Sequence, residues 1–421
     1  MAATQEVGPT DLLIADDRIE AIGDLPLGTP ADEVVDCRST VILPGLVQPS
    51  VELHTRLLRG TLDALEPLDL LRERIWPYEA SLDREGTRVA ALLAGAELLR
   101  GGTTSVLVPG PVRHVEAVFE AVAELGLRAT VGKALIDRGH ALPAPLRQTV
   151  AEALEESETL FDQWHGAENG RIRCAFAPRA VWSSSEALLT GAADRARERG
   201  AVLHSRTAIS GAEVEKVRDS LSRDTVSYLH QLGLTGPDLV LAHGLYLTSE
   251  EQRILRETGA HLVHCPSFGL RLGAGLARIP DLLEMGVSVS LAGGDAGVVD
   301  ALDGFEEMRL AGLVHAPRYG AAVLPPAKVL ELATIAGARA LGLESDIGTV
   351  EPGKKADLIV VRVDRLHLVA AGGIPATLAC SARAADVEHV FVDGVPRVRS
   401  GEVIGIDRAT LLARARRLAG D

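Results

Sequence analysis

The stretch VILPGLVQPSVELHTRLLRG, residues 41–60, decides the fold. An apolar run, VILPGLV, passes into a polar cluster of Gln48, Ser50, Glu52 and His54, and a second apolar patch ends in Arg59-Gly60. An apolar run that closes on polar side chains reads as a buried strand with reactive groups at its carboxyl end.

Working outward, seven further strand-like runs follow, at 103–108, 127–136, 172–178, 201–205, 239–247, 261–267 and 287–292, and 41–48 is the first of the eight. Helical patterns lie between them, for instance over 84–100, where apolar residues recur at three and four. Alternation of this kind calls for a parallel sheet with helical crossovers, and eight units make a (β/α)8 TIM barrel. The chain ends differ in texture: short alternating runs broken by Gly and Pro fill 11–43 and 347–403, as short antiparallel strands do. The expected organisation is a barrel over 44–346 and a small β-sandwich from 1–43 and 347–421, with a C-terminal helix.

The words of the sequence carry a resemblance. WPYEASL, LLRGGTTS, FAPR, EVEKV, LAHGLYLTSEE, HCPS, LDGFEEMR and EPGKKADLIVV stand in the order, and near the spacing, of the amidohydrolase superfamily, in the branch of the aminohydrolases and triazine chlorohydrolases. The opening stretch resembles that branch's first barrel strand, PG-(L/F)-(V/I)-N-x-H-x-H followed by Leu-Arg-Gly. The resemblance implies the barrel with its flanking sandwich, and a metal ion held by two strand-one histidines, a histidine each from strands five and six, and a strand-eight aspartate.

Laid on that pattern without a gap, the two strand-one histidines fall on Ser50 and Glu52, and the strand-five ligand falls on Arg206. The strand-five glutamate falls on Ile209, and the next strand-six histidine on Tyr246. His243 keeps the strand-six position, and the strand-eight ligand falls on Gly294, one residue before Asp295. Serine is a poor zinc ligand and a protonated arginine repels a divalent cation. The expectation is therefore an enzyme without the usual metal centre, needing no cofactor, with His243, Glu52 or Asp295 as acid and base and Arg206 as an anion stabiliser. Arg206 is expected to pair with Glu52 and Asp295, since a buried guanidinium needs carboxylate partners.

Around these, His54, Asp137, Arg179, His204, Tyr246 and Phe268 are candidate substrate-binding residues. Each has a plainer reading. His54 on a strand-to-loop exit suits a solvated histidine as well as a ligand or base, and His204 suits a packed structural one. Asp137 and Arg179 suit a salt bridge across the barrel mouth, and Tyr246 a space-filling ring. Phe268 makes an otherwise polar corner more apolar. His261 and His264, three apart on a strand, face opposite sides and do not chelate together. Trp76, Trp164 and Trp182 read as packing anchors in a chain with 3% aromatic residues.

Composition bounds the partners. A 421-residue chain with 47% apolar residues buries a large core, and a net charge of -15 with both signs interspersed argues against a nucleic-acid surface. No basic n-region leads into an apolar core at the start and no apolar run reaches membrane-spanning length, which gives an expectation of cytoplasmic location with no membrane partner. Cys37, Cys174, Cys265 and Cys380 are scattered without C-x-x-C spacing and read as reduced thiols. Arginine far outnumbers lysine, as in a GC-rich bacterial coding sequence.

Three functions stand beside one another. The leading one is a repurposed, metal-independent enzyme acting on a small polar, heterocyclic, C–N bond-containing molecule. The second is a pseudoenzyme that binds a ligand or partners an active paralogue. The third is a metal-dependent hydrolase or deaminase with an unusual ligand set, Glu52, His54, His243 and Asp295. The resemblance also implies a homo-oligomer, a dimer or larger.

Overall fold

The computed structural model describes residues 8–26, 28–62, 65–321, 323–369 and 372–420, so residues 1–7, 27, 370–371 and 421 of the expected small domain lie outside the described residues. Eight parallel strands stand side by side in chain order: Leu46–Gln48, Thr103–Pro109, Arg128–Leu135, Ile172–Pro178, Val202–Thr207, Leu239–His243, His261–His264 and Ser288–Leu291. Their side chains are buried almost throughout, because helices cover the outside and the barrel interior is packed.

The first and eighth strands close the ring through a short second ladder. Val51–Glu52 pairs in parallel with Gly294–Asp295, so Glu52 stands opposite Asp295 in register. The Gly293 N–H also donates to Gln48 Oε1 at 2.9 Å, tying the eighth strand back to the first. The expected architecture is present: a nearly closed barrel with a separate antiparallel sheet built from the chain ends.

The run 41–48 is one strand in the sequence pattern and two in the structure. Thr40–Pro44 runs in the five-stranded antiparallel sheet, beside Leu358–Arg362, and Leu46–Gln48 enters the barrel. Pro44 has no amide hydrogen to continue a ladder, and Gly45 passes so close to the second strand that a Cβ there would lie 2.0 Å from Thr104 Oγ1. A Pro-Gly pair therefore moves the chain from one sheet to the next. The other strands of the antiparallel sheet are Val387–Val392, Val395–Arg399 and Glu402–Val403. The hairpin Asp11–Ala15 and Arg18–Gly23 lies against it through Ile19, Ala356 and Leu358.

Between the first and second barrel strands runs a helical segment over 67–81 that roofs the site. Its middle, Leu71–Ile75, is a π turn in which the Trp76 N–H reaches back to the Leu71 carbonyl. Pro77 sits just beyond and offers no amide to close an ordinary turn, so the helix widens there, as helices often do beside functional sites. Among the described residues no helix is long and apolar enough to cross a membrane.

Candidate active site

The carboxyl ends of the barrel strands converge on a set of buried charges. Glu52, 4% exposed, ends the first strand's extension, and the guanidinium of Arg206, 6% exposed, pairs with it from the fifth strand. Two residues earlier on each chain, Ser50 Oγ meets His204 Nε2 at 3.1 Å. Burial pushes His204 down to about 3, so its ring is neutral and acts as a structural hydrogen-bonding group.

His54 is fully buried, which corrects the picture of a solvated loop histidine. Its Nε2 lies 3.0 Å from Glu79 Oε1, and the same oxygen accepts from Arg179 at 2.5 Å. Burial alone would raise the Glu79 carboxyl, but Arg179 and His54 outweigh it and hold the group at about 2. An ionised Glu79 accepts from Nε2–H, which in a neutral ring leaves the lone pair on Nδ1, and that atom is buried without a partner. An ion on Nδ1 would lie on the far side of the ring from Glu79, so for the two residues to share one ion His54 would bind it through Nε2, with the ring proton moved to Nδ1.

One ligand atom each from Glu52, His54 and Glu79 lies within 4.8 Å of the others, and all three residues are buried. Glu52 Oε2, His54 Nδ1 and Glu79 Oε2 have no hydrogen-bond partner. Two carboxylates and an imidazole, with His54 Nε2 turned from its hydrogen bond with Glu79 to the ion, make a donor set of the kind that zinc takes. His243 and Asp295 are not part of this cluster; the structure gathers Glu79 with Glu52 and His54 instead.

Asp295 Oδ1 accepts from Thr55 Oγ1 at 2.6 Å and from the Gly297 N–H at 2.9 Å, leaving Oδ2 unpaired. His243 takes φ +79°, a left-handed conformation rare for a histidine, and its ring packs on Phe268 with centroids 4.4 Å apart. Burial, then the Arg206 charge, keeps this imidazole well below its ordinary range. Its Nδ1 is a free lone pair or donor inside the barrel.

A cavity of about 440 Å3, its open mouth included, leads to these groups. Leu68, Leu70, Leu71 and Ile75 of the roof, with Trp182 and Phe268, form an apolar wall, and Arg179, Arg206, Glu213 and Asp295 form the polar end. An apolar wall meeting a few convergent charged groups is the kind of lining that small-molecule pockets use. A smaller recess lined by Glu52, Arg179, His204 and Arg206 continues inward.

Four of the sequence candidates, His54, His243, Asp137 and Tyr246, are in the lining of neither cavity, and the last two have plain structural partners. Asp137 accepts from the Ser185 N–H at 2.7 Å, beside a helix start. Tyr246 is 43% exposed and donates to the Ala274 carbonyl at 2.6 Å. Two buried carboxyls of this region were not singled out in the sequence, Glu79 in WPYEASL and Glu213 in EVEKV. A lone acid among apolar residues near a Trp-Pro pair was the available signal for Glu79.

Comparison with known proteins fits this geometry. The amidohydrolase family model matches residues 41–397. A 5-methylthioadenosine/S-adenosylhomocysteine deaminase of Moorella thermoacetica is 36% identical over 412 residues, covering 97% of this chain and 94% of that protein. A 5'-deoxyadenosine deaminase of Methanosarcina acetivorans is 33% identical over 410 residues, covering 97% and 92%. An adenosine deaminase from Xanthomonas campestris, solved with bound zinc, superposes with a TM-score of 0.88 at 29% identity, covering 98% of this chain and 93% of that one.

These findings overturn the leading expectation from the sequence, a repurposed enzyme that has lost its metal centre. The relatives are deaminases, a similar structure holds zinc, and the buried cluster of Glu52, His54 and Glu79 offers ligand atoms at metal-binding separations. The sequence reading ranked a metal site on Glu52, His54, His243 and Asp295 behind a metal-free enzyme, and did not see Glu79 arriving from the roof helix. Matched along almost its whole length by family model and relatives alike, the chain belongs to the amidohydrolase family.

Proposed function

We propose that this chain is a hydrolytic deaminase of a 5'-substituted adenosine, working with a divalent metal ion on a carboxylate-rich ligand set. The observation that carries the reading is the buried cluster of Glu52, His54 and Glu79, whose Glu52 lines a recess together with Arg179 and Arg206. The names of the relatives supply the substrate class.

Glu52, His54 and Glu79 would hold the ion, which when bound supplies an acidified water for attack at a C–N carbon. The rest falls to the chain itself. The wall of Leu70, Leu71, Trp182 and Phe268 takes the faces of a purine and excludes bulk water. His243 Nδ1, on an imidazole kept neutral by burial and the Arg206 charge, has no protein partner and is left to hydrogen-bond with the substrate. Arg206 and Arg179 already pair with Glu52 and Glu79, so an incoming cation shares each carboxylate with a guanidinium. Affinity for the ion is therefore expected to be lower than in a site with two imidazoles and no arginine.

The test is to incubate the protein with 5'-deoxyadenosine and 5-methylthioadenosine, with and without added zinc, and to measure ammonia. Stoichiometric ammonia that disappears on chelation supports the reading. Ammonia release that is indifferent to chelator, or none from either nucleoside with zinc present, contradicts it.

A further inference from the structure

Glu213 is buried at 1% exposure on the helix that follows the fifth barrel strand, and it lines the cavity beside Arg206 and Phe268. One carboxyl oxygen, Oε2, accepts from the Ile209 N–H at 2.7 Å, which fixes the side chain. The other, Oε1, is buried with no partner. Arg206 from the strand acts on it with the opposite charge and Glu66 from the segment before the roof helix with the same charge, and Arg179 and Asp295 are the other charged groups of the lining. Burial, against the pull of the Ile209 N–H and Arg206, raises this carboxyl to about 7. Much of it is therefore protonated at neutral pH, and the proton has Oε1 to sit on.

The polar end of the cavity otherwise holds arginines already committed to Glu52 and Glu79, and Asp295 with one oxygen taken by Thr55 and Gly297. A heterocycle sliding between the apolar walls presents ring nitrogens that accept hydrogen bonds. We propose that Glu213 is a substrate-contacting residue of this pocket, donating a hydrogen bond from its free carboxyl oxygen to a ring nitrogen of the bound heterocycle. The role rests on the nucleoside reading of the site and adds to it the residue that recognises the ring edge. It also makes recognition depend on pH, because the ionised carboxylate has no proton to donate and repels the ring lone pair.

Calorimetric titration of the protein as purified with 5'-deoxyinosine, which has no amino group to lose, tests this at several values between about pH 6 and about pH 8.5. Affinity is expected to fall about 10-fold across that range, one hydrogen bond of roughly 1.4 kcal/mol. Glu213→Gln keeps an oxygen for the Ile209 N–H and an amide that donates at every pH, so its affinity should stay flat. A flat profile in the unsubstituted protein, or the same slope in E213Q, overturns the role while leaving nucleoside binding intact. Absence of nucleoside binding at any pH overturns the nucleoside reading itself. Should E213Q fail to fold, infrared difference spectra of the unsubstituted protein decide instead. The neutral-carboxyl band must shift when 5'-deoxyinosine binds, and an unchanged band overturns the role.

Discussion

The guanidinium of Arg206, on the fifth barrel strand, is paired with the carboxylate of Glu52 at the end of the first, and both are buried. That pair joins the two sides of the barrel mouth and sets the charge balance of the site. It also competes directly with any cation for Glu52.

Replacing Arg206 by Gln leaves Glu52 buried without its partner, which should lower stability by about 3 kcal/mol in urea denaturation. Added zinc should return a larger part of that stability to R206Q than it adds to the unsubstituted protein, because Glu52 is then free to bind it. Equal zinc effects on the two proteins would separate Glu52 from metal binding.

Glu79 answers to two partners, His54 at 3.0 Å and Arg179 at 2.5 Å. Glu79→Gln removes the charge both depend on and should cost about 3 kcal/mol. Calorimetric titration should show that it also weakens zinc binding; unaltered zinc affinity would mean that Glu79 only braces the roof.

Beside Glu213, whose raised carboxyl also favours the folded state at lower pH, stability should depend on pH through Glu307 and His264, both buried away from the metal cluster. Burial raises Glu307 to about 8 from 4.5, with the Ser267 hydroxyl and N–H restraining it in part. The unfolded chain loses that proton first, so stability falls as pH rises from about 4.5 to about 8. Burial lowers His264 to about 3 from 6.5, so the unfolded chain gains its proton first and stability falls as pH drops below about 6.5. Above about pH 6.5 the carboxyl dominates, and Glu307→Gln should make the decline of Tm between about pH 6.5 and about pH 8 shallower. An unchanged decline would assign the alkaline loss to other groups.

At the crossing between the sheets, Gly45→Ala places a methyl group 2.0 Å from Thr104 Oγ1. Thr104 is fully buried and its own strand cannot retreat, so overpacking should cost about 2 kcal/mol in chemical denaturation. A neutral substitution there would show that the first barrel strand is less tightly seated than its packing implies.

What was legible in the sequence followed from period and punctuation. Apolar runs such as TTSVLV and IRCAFAP, set between helical patterns, correspond to barrel strands Thr103–Pro109 and Ile172–Pro178. Arg206 was placed inside the mouth against Glu52 because a buried arginine has few other options. The division of 41–48 between two sheets was written in Pro44-Gly45 but was read as one strand. Glu79 and Glu213 were beyond reach for a different reason. Glu79 meets its partners 25 and 100 positions away, a relation that no local pattern in the sequence records. Glu213 looks like any acid in the first turn of a helix until the Ile209 amide and the apolar wall are seen around it.

The most direct measurement is zinc bound per chain at equilibrium, by mass spectrometry after dialysis against buffered zinc, for the unsubstituted protein and for Glu52→Gln and His54→Ala. One ion per chain in the unsubstituted protein, lost in both variants, is the result predicted. No zinc in the unsubstituted protein, or full occupancy retained by both variants, would contradict a metal centre on Glu52, His54 and Glu79.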